Sequence, residues 1–265
     1  MTADGLPWFD AHCDWLSKSK PLPSLNGCWG ICMAVFSDLD AKDRAEQMLR
    51  QIARFEAIAH PRFLLGIEDI SPIWRQQLPR PLYAGLCWNQ DNILCGGCLG
   101  QGTGLTAQGR QAVQKLAADG IFVDLSHASR KTFFDVMEMN LPVCVSHAGC
   151  FDAFPHPRNL DRAQVDMLIE RNCFWGLPLA PVLLGGSSFR SLFAHIRCAL
   201  SWGAEKILGI GSDWCGCQKL ITPFDTSADL PRLYSLLEAR GIGGTCNILF
   251  KNAARLLAGK GQNAM

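Results

Sequence analysis

Net charge is almost absent from this sequence, and so is any long hydrophobic run. Lys and Arg number 25 against 24 Asp and Glu, so there is no basic excess to neutralise phosphates, which argues against general nucleic-acid binding. No apolar run reaches the roughly 18–20 residues of a membrane-spanning helix. The N-terminus, MTADGLPWFDAHCDW, lacks the charged segment and apolar stretch of a secretory signal. We therefore expect a cytoplasmic protein that binds neither nucleic acid nor membrane.

Low-complexity tracts, charge blocks and long Pro- or Ser-rich linkers are also missing, so no domain boundary is visible. The 265 residues are 48% hydrophobic and 18% charged, a balance that excludes intrinsic disorder. One domain can reach this length. We expect a single domain over residues 1–265.

Cysteine is abundant, yet a disulfide framework is not expected. The thirteen cysteines are odd in number, and the chain is neither small nor visibly exported. Many lie in apolar runs, where a free cysteine behaves as a small buried hydrophobe. An additional thiol metal or redox site stays open at three closely spaced pairs: Cys28 and Cys32, Cys95 and Cys98, and Cys215 and Cys217.

A rhythm of short apolar runs and longer amphipathic stretches predicts the fold class. Near-continuous apolar runs fit parallel strands that are buried on both faces. The eight runs are WFDAHCDW, CWGICMAVF, RFLLGIED, YAGLCWN, GIFVDLSH, LPVCVSH, CFWGLPLAPV and EKILGIGSD. Helical patterns cover residues 41–59, 106–119, 129–139, 161–172, 188–202, 226–240 and 244–258, with Asp161 as an expected N-cap.

Eight alternating units in this length favour an α/β protein of the (β/α)8 TIM-barrel type. Only the segment after GIED, ISPIWRQQLPR, breaks the alternation, because it is short and contains prolines. An open doubly wound sheet is the alternative, but no Gly-x-Gly-x-x-Gly fingerprint follows an early strand.

Residues that can bind metal follow the predicted strands, where a barrel places its active site. They are His12 and Asp14 at the first strand, Glu68 at the third, His127 at the fifth, His147 at the sixth and Asp213 at the eighth. His12 and Asp14 are two residues apart, so on a strand both side chains point the same way. Imidazole and carboxylate ligands suit zinc or a similar first-row divalent ion.

A single histidine at a strand end is more often a hydrogen-bonded core residue than a ligand. The prediction of a metal site therefore depends on finding histidines and carboxylates together at several strand ends. His60 and His195 are interpreted as surface or capping residues. Five ligands exceed the three that hold one catalytic zinc ion. Two ions, bridged by a glutamate about 3.5–4 Å apart with a shared water as nucleophile, explain the set better.

Motifs along nearly the whole chain resemble the membrane (renal) dipeptidase family, whose members are zinc-dependent. The motifs are FDAHCDW, GIED, GLCWNQDN, GLTAQGRQAVQKLAADGIFVDLSHAS, VCVSHAG, HPRNLD, GIGSDW and the terminal GGTCNILFKNAARLL, in the order of that family. The chain looks like a short, soluble, bacterial-type member. The resemblance implies a metal-dependent hydrolase barrel with two zinc ions and leaves a homodimer open.

The resemblance also implies roles for individual residues. His12 and Asp14 match ligands of the first zinc, Glu68 matches the bridging carboxylate, and His127 and His147 match ligands of the second. Arg158 in HPRN matches the arginine that binds the substrate's terminal carboxylate, a bidentate task that suits guanidinium. Asp213 matches a residue that handles protons and recognises the amine. Trp88 and Asn89 are expected to contact substrate, and Glu68 and Asp213 to serve catalysis.

Three features depart from the family pattern. Trp88 stands where mammalian-type members have the histidine of Leu-Thr-His-Asn, and tryptophan cannot carry the proton charge of a histidine. Cys215 replaces a second acidic residue, and the segment after the third strand is short.

The expected activity is hydrolysis of the peptide bond of small dipeptides, including ones with a D-residue at the C-terminal side, by a metal-bridging hydroxide. The alternative is hydrolysis of a cyclic or modified amide metabolite in a biosynthetic pathway, which Trp88 and the shortened segment motivate.

Overall fold

A computed structural model describes residues 5–258 of the chain, and eight short strands form its centre. The strands are β1 Trp8–Cys13, β2 Cys28–Val35, β3 Phe63–Ile67, β4 Tyr83–Gly85, β5 Phe122–Asp124, β6 Val143–Cys144, β7 Trp175–Leu177 and β8 Leu208–Ile210. Each lies within one of the eight predicted runs and is shorter than its run. The ends of the expected domain, residues 1–4 and 259–265, lie outside the described residues.

The strands pair in parallel and in sequence order. β1 to β6 form one sheet, and β7 and β8 form a second, two-stranded sheet. Two isolated parallel bridges lie at the borders between them: Val145 pairs with Trp175, and Cys13 pairs with Trp214. The fold is therefore α/β with a curled parallel sheet, as the apolar runs predict.

Helices separate most of the strands. They are α1 Arg44–Ile58, α2 Ala107–Ala118, α3 Arg130–Met137, α4 Arg162–Glu170, α5 Pro181–Leu184, α6 Phe189–Ser201 and α7 Arg232–Glu238. The predicted cap Asp161 is confirmed, because it forms a capping box with Gln164 at the start of α4. The side chains of Thr106 and Ser129 cap α2 and α3, and each accepts the backbone N–H three residues on. Such caps contribute about 1 kcal/mol each.

Proline explains two differences from the predicted elements. The run CFWGLPLAPV continues past β7 into α5, because Pro181 suits the first position of a helix, where no amide hydrogen is required. The predicted helix 226–240 is divided into a 3-10 turn, Ser227–Asp229, and α7. Pro231 lies between the two and has no amide hydrogen to continue the helical ladder.

The last predicted helix and the connection between β3 and β4 have irregular structure. The predicted helix 244–258 contains two π-helical segments, Asn247–Lys251 and Ala254–Ala258. Between β3 and β4 the described chain forms turns and no helix, as the prolines there led us to expect. None of the helices in the described range is long and apolar enough to cross a membrane.

Buried side chains fill the space around the strands, and one polar contact holds β1 beside β8. Trp8, Tyr83 and Trp175 are fully buried. The buried carboxylate of Asp10 on β1 accepts the Ser212 hydroxyl at 2.6 Å and the Ser212 amide N–H at 2.7 Å. Ser212 lies two residues beyond β8, so this contact ties β1 to the segment that follows β8.

Candidate metal centre

Six side chains that can bind metal meet at the carboxyl ends of the strands. They are His12 from β1, Asp14 just beyond β1, Glu68 beyond β3, His127 beyond β5, His147 beyond β6 and Asp213 beyond β8. The first five are buried, with exposures between 0% for His12 and 6% for His127. The structure thus brings all the predicted metal-binding residues to one place.

The carboxylate of Glu68 is the centre of this cluster. Its Oε1 lies 2.8 Å from His127 Nε2, 3.6 Å from His147 Nε2 and 3.7 Å from His12 Nε2. His127 Nε2 and His147 Nε2 are 3.1 Å apart. Asp14 Oδ2 lies 3.6 Å from His12 Nε2. One oxygen atom therefore contacts imidazoles from three different strands.

The described residues contain three sets whose ligand atoms all lie within 4.8 Å of one another. They are His12 with Asp14 and Glu68, Glu68 with His127 and His147, and His12 with His147 and Asp213. The first two sets share Glu68, which is the arrangement expected for two ions with one bridging carboxylate. The third set shows that Asp213 also reaches the cluster.

Three neutral side chains hold the outer nitrogens of the three imidazoles. His12 Nδ1 lies 2.8 Å from the Tyr83 hydroxyl, which itself donates to the Ala11 carbonyl. His127 Nδ1 donates to Asn89 Oδ1 at 2.8 Å, and His147 Nδ1 lies 2.7 Å from Ser146 Oγ. With Nδ1 protonated, the neutral imidazoles of His127 and His147 keep their Nε2 lone pairs on the Glu68 side.

Burial and crowded charges shift the pKa values in the cluster. Burial, reinforced by the charge of Asp14, raises the pKa of Glu68 well above 4.5 and the pKa of Asp213 to about 7. Burial disfavours charge on His12, but the surrounding carboxylates, Asp14 foremost, outweigh it and raise its pKa to about 10. Burial and nearby cations lower the pKa of His127 and His147 well below 6.5. His127 and His147 are therefore neutral at pH 7, which is the form that binds metal.

The donor set fits divalent cations. His12 Nε2 and Asp14 Oδ1 are buried without a hydrogen-bond partner among the described residues, a costly state for polar atoms. The Nε2 lone pairs of His127 and His147 also face each other at 3.1 Å. A cation among these atoms would convert repulsion between acceptors into coordination, and imidazole with carboxylate suits zinc.

Most of the chain matches the sequence profile of a known protein family. A sequence profile described as membrane dipeptidase (peptidase family M19) matches residues 80–264, well over half of the chain. The chain belongs to this family. The resemblance seen in the motifs is thereby confirmed, and it extends across His127, His147, Arg158 and Asp213. His12, Asp14 and Glu68 precede the matched residues, and the structure brings them to the same cluster.

Individual proteins match parts of this M19 chain. Dipeptidase tcpJ of Claviceps purpurea is 27% identical over 144 residues, which cover 52% of this chain and 34% of that protein. A Klebsiella pneumoniae protein, described as an uncharacterized protein in the pqqA 5′ region, is 26% identical over 205 residues, covering 74% and 73% of the two chains. The chain thus spans about a third of the length of the fungal dipeptidase.

Solved structures share the fold of this M19 chain. A metallo peptidase from Rhodobacter sphaeroides, liganded with a phosphinate mimic of the dipeptide L-Ala-D-Ala, has a TM-score of 0.80 at 19% identity, over 96% of this chain and 99% of that chain. Dipeptidase AC, an M19 metallo peptidase, has a TM-score of 0.81 at 19% identity, over 96% and 98%. At this identity the likeness concerns the fold.

Arg158 of this M19 chain lies directly beside the cluster. Its side chain is buried, with 5% exposure, and donates to the carbonyls of Ser126 and, at 3.2 Å, His147. Its Nη2 is 3.1 Å from His127 Nε2. Since a guanidinium has five N–H donors, these three contacts leave two for another acceptor. Arg158 also lines a cavity that opens above the cluster.

A cavity of about 630 Å³ opens above the cluster. The Trp88 ring lies 6.1 Å from the His127 ring and 5.0 Å from the Phe36 ring, so an aromatic wall extends outward from the cluster. Asn89 also lines the cavity, although its side-chain oxygen is taken by His127. Substrate contact by Trp88 and Asn89 stays a prediction. Phe36, Lys18 and Lys219 line the cavity too, and no motif marks them in the sequence.

The interpretation of His195 as a surface or capping residue is wrong. It is fully buried in α6, where its Nδ1 accepts the Cys150 amide N–H at 2.9 Å, and burial lowers its pKa to about 4. It lies on the apolar side of α6, which faces the sheet. His60 is half-buried beyond α1, and its Nδ1 accepts the amide N–H of Arg62, in keeping with a capping role.

The thiol pairs form no metal site within residues 5–258. All thirteen cysteines are free, and none of the three ligand sets includes one. Cys28 and Cys32 are buried, and burial raises the pKa of Cys28 to about 12. Cys215 and Cys217 line the cavity mouth instead.

Proposed function

We propose that this chain is a zinc-dependent hydrolase that cleaves the peptide bond of small dipeptides at a dinuclear centre. The observation that supports this best is the position of Glu68, which is shared by the two ligand sets and whose Oε1 lies near both His12 and His127. Membership of the M19 family supports the substrate class.

Five side chains would hold the metal. His12 and Asp14 would bind the first ion, His127 and His147 the second, and Glu68 would bridge them. The chemistry that such ions supply when bound is Lewis acidity toward a carbonyl oxygen and activation of water at neutral pH. The tautomers set by Tyr83, Asn89 and Ser146 present the lone pairs that this ligation needs.

Arg158 and Asp213 would place the substrate and handle its proton. A dipeptide's terminal carboxylate would accept from the guanidinium of Arg158, which fixes the distance from that carboxylate to the cluster and so limits substrate length. Asp213 reaches both His12 and His147 and would hold the proton that the leaving amine takes up. The aromatic wall of Trp88 and Phe36 would border the substrate side chain.

Further features belong to this proposal. We propose that the substrate can carry a D-residue at the C-terminal side, since the Rhodobacter sphaeroides structure holds a mimic of L-Ala-D-Ala. The bridges Val145–Trp175 and Cys13–Trp214 support closure of the eight strands into a (β/α)8 barrel, and we propose that residues 1–265 form this one domain. The cytoplasmic location and the homodimer stay predictions.

Trp88 favours the second candidate, an amidohydrolase for a cyclic or modified amide. Its broad apolar ring stands in place of an ionisable histidine and suits an apolar substrate.

A substrate panel on zinc-loaded protein separates the two functions. We expect turnover of free dipeptides, and far slower turnover of their C-terminal amides and of tripeptides, because Arg158 requires a carboxylate at a fixed distance. Hydrolysis of cyclic or blocked amides without hydrolysis of any free dipeptide would contradict the dipeptidase and favour the second candidate.

A further inference from the structure

Two residues behind His147 form a hydrogen-bonded relay. Ser146 Oγ lies 2.7 Å from His147 Nδ1 and 2.5 Å from Asp124 Oδ2. The exposures of Asp124, Ser146 and His147 are 4%, 1% and 1%, so water does not compete for these bonds. A carboxylate only accepts hydrogen bonds, so the hydroxyl hydrogen of Ser146 points to Asp124. The hydroxyl oxygen is then left to accept the N–H of His147 Nδ1.

Asp124 is itself held in one orientation by its other oxygen. Asp124 Oδ1 accepts the amide N–H of Ser126 at 3.1 Å, the amide N–H of Ser146 at 2.9 Å and the hydroxyl of Ser126 at 2.7 Å. A backbone amide can only donate, so whatever atom stands at the Oδ1 position must accept. This leaves Oδ2 as the atom that faces the Ser146 hydroxyl.

We propose that Asp124 is a positioning residue that, through Ser146, fixes the Nδ1–H tautomer of His147 and so keeps the Nε2 lone pair directed at Glu68. The inference rests on the ligand role proposed for His147, but it concerns which nitrogen carries the proton before any ion binds. Asp124 belongs to none of the ligand sets found among the described residues.

The other two histidines of the cluster do not depend on such a relay. His127 Nδ1 donates to an amide oxygen of Asn89, which cannot donate in return. His12 Nδ1 lies 2.8 Å from the Tyr83 hydroxyl but 3.4 Å from Ser146 Oγ, so the nearer Tyr83 oxygen is its acceptor. His147 is therefore the histidine whose tautomer should respond to a change at Asp124.

Asp124→Asn should reverse the direction of the relay. The variant has nearly the same shape, and the two backbone N–H groups require its amide oxygen at the Oδ1 position. Its NH2 group then faces Ser146 and donates to Oγ. The Ser146 hydroxyl hydrogen must turn to His147 Nδ1, which selects the Nε2–H tautomer and removes the lone pair that a metal needs. Ser146→Ala removes the relay without reversing it.

Nitrogen NMR of histidine-labelled, metal-free full-length protein at pH 8 tests the tautomer directly. We expect Nδ1–H for His147 in the wild type and Nε2–H in Asp124→Asn, with His127 unchanged, and a His147→Gln spectrum identifies the signal. Ser227→Ala is the matched control. Its hydroxyl is also buried and donates to a strand carboxylate, Asp10, at 2.5 Å, but within residues 5–258 it has no hydrogen bond to an imidazole.

Zinc affinity, measured by chelator competition, gives a second readout. We expect a loss of about 10- to 100-fold for Asp124→Asn, a smaller loss for Ser146→Ala and no change for Ser227→Ala. An unchanged Nδ1–H tautomer in folded Asp124→Asn, or wild-type zinc affinity in that variant, would overturn the proposal. If Asp124→Asn does not fold, Ser146→Ala decides: mixed tautomers at His147 support the relay, and an unchanged Nδ1–H overturns it.

The outcomes also separate this inference from the proposed function. A wild-type protein that binds no zinc, but whose His147 tautomer reverses in Asp124→Asn, would refute the metal centre and leave the relay supported. Zinc binding with an unresponsive tautomer would do the opposite.

Discussion

Glu68→Gln should remove most of the stabilisation that zinc gives to the protein. Glu68 Oε1 lies within 3.7 Å of three imidazole nitrogens, and glutamine keeps the size of the side chain while removing its charge. A site saturated at a hundred times its Kd adds about 2.7 kcal/mol to the free energy of unfolding, so two sites add about 5 kcal/mol. At about 2–4 °C per kcal/mol for a chain of this size, zinc should raise the wild-type Tm by about 10–20 °C.

The sign of the effect should reverse when metal is removed. Burial and the charge of Asp14 raise the pKa of Glu68, so the folded state disfavours the ionised carboxylate. At pH 8, chelator-treated Glu68→Gln should therefore be at least as stable as chelator-treated wild type.

Thermal unfolding with and without zinc, with elemental analysis of the same samples, measures both effects. Glu170→Gln is the control, since it makes the same substitution at an exposed position of α4. A zinc-dependent rise in Tm of the same size in Glu68→Gln and wild type, with two ions in each, would refute the bridging role.

Three other predictions concern substrate and pH. Arg158→Ala should raise KM for free dipeptides far more than it lowers kcat. Arg158→Lys should restore little of the lost activity, because lysine lacks the planar fork of the guanidinium. Equal kinetics on a dipeptide and its C-terminal amide would contradict this role. Trp88→Phe should keep its zinc content and lower kcat by about 100-fold if the indole N–H contacts the reacting carbonyl. Trp88→His should stay active with a changed substrate profile. Unchanged kinetics of Trp88→Phe would mean that Trp88 only packs against its neighbours. The pKa of Asp213 rises from 3.8 to about 7 in the folded, metal-free protein, so this group's stabilisation is present below about pH 4 and is lost as the pH rises to 7. The free energy of unfolding of chelator-treated Asp213→Asn, measured in urea, should fall less steeply over that range. A fall as steep as that of the wild type would contradict the raised pKa of Asp213.

The ligand cluster could be predicted because strand ends are visible in the sequence. Short apolar runs that end in His, Asp or Glu mark the places where parallel strands deliver side chains to one edge. His12 and Asp14 both reach the cluster, although Asp14 lies just beyond β1 and has a non-extended backbone, with φ −100° and ψ 30°. Helix starts were equally readable, since Asp161 and Gln164 form a capping box through local contacts alone.

Contacts that depend on strand register could not be predicted. Tyr83 reaches His12 across 71 positions of sequence, and Ser146 reaches Asp124 across 22. Such pairs follow from how far each strand is shifted against its neighbours, and composition does not encode that shift. A polar residue within an apolar strand run, such as Asp124 in GIFVDLSH, was the available sign that a buried partner must exist. The burial of His195 could not be predicted, because an amphipathic helix pattern does not show which of its polar residues lies on the buried face.

Anomalous diffraction at the zinc edge, from crystals of zinc-loaded wild-type protein, tests the dinuclear centre most directly. We expect two zinc peaks about 3.5–4 Å apart, one against His12 and Asp14, the other against His127 and His147, with Glu68 touching both. A single peak that leaves either pair unligated, or zinc bound only at the cysteines, would contradict it.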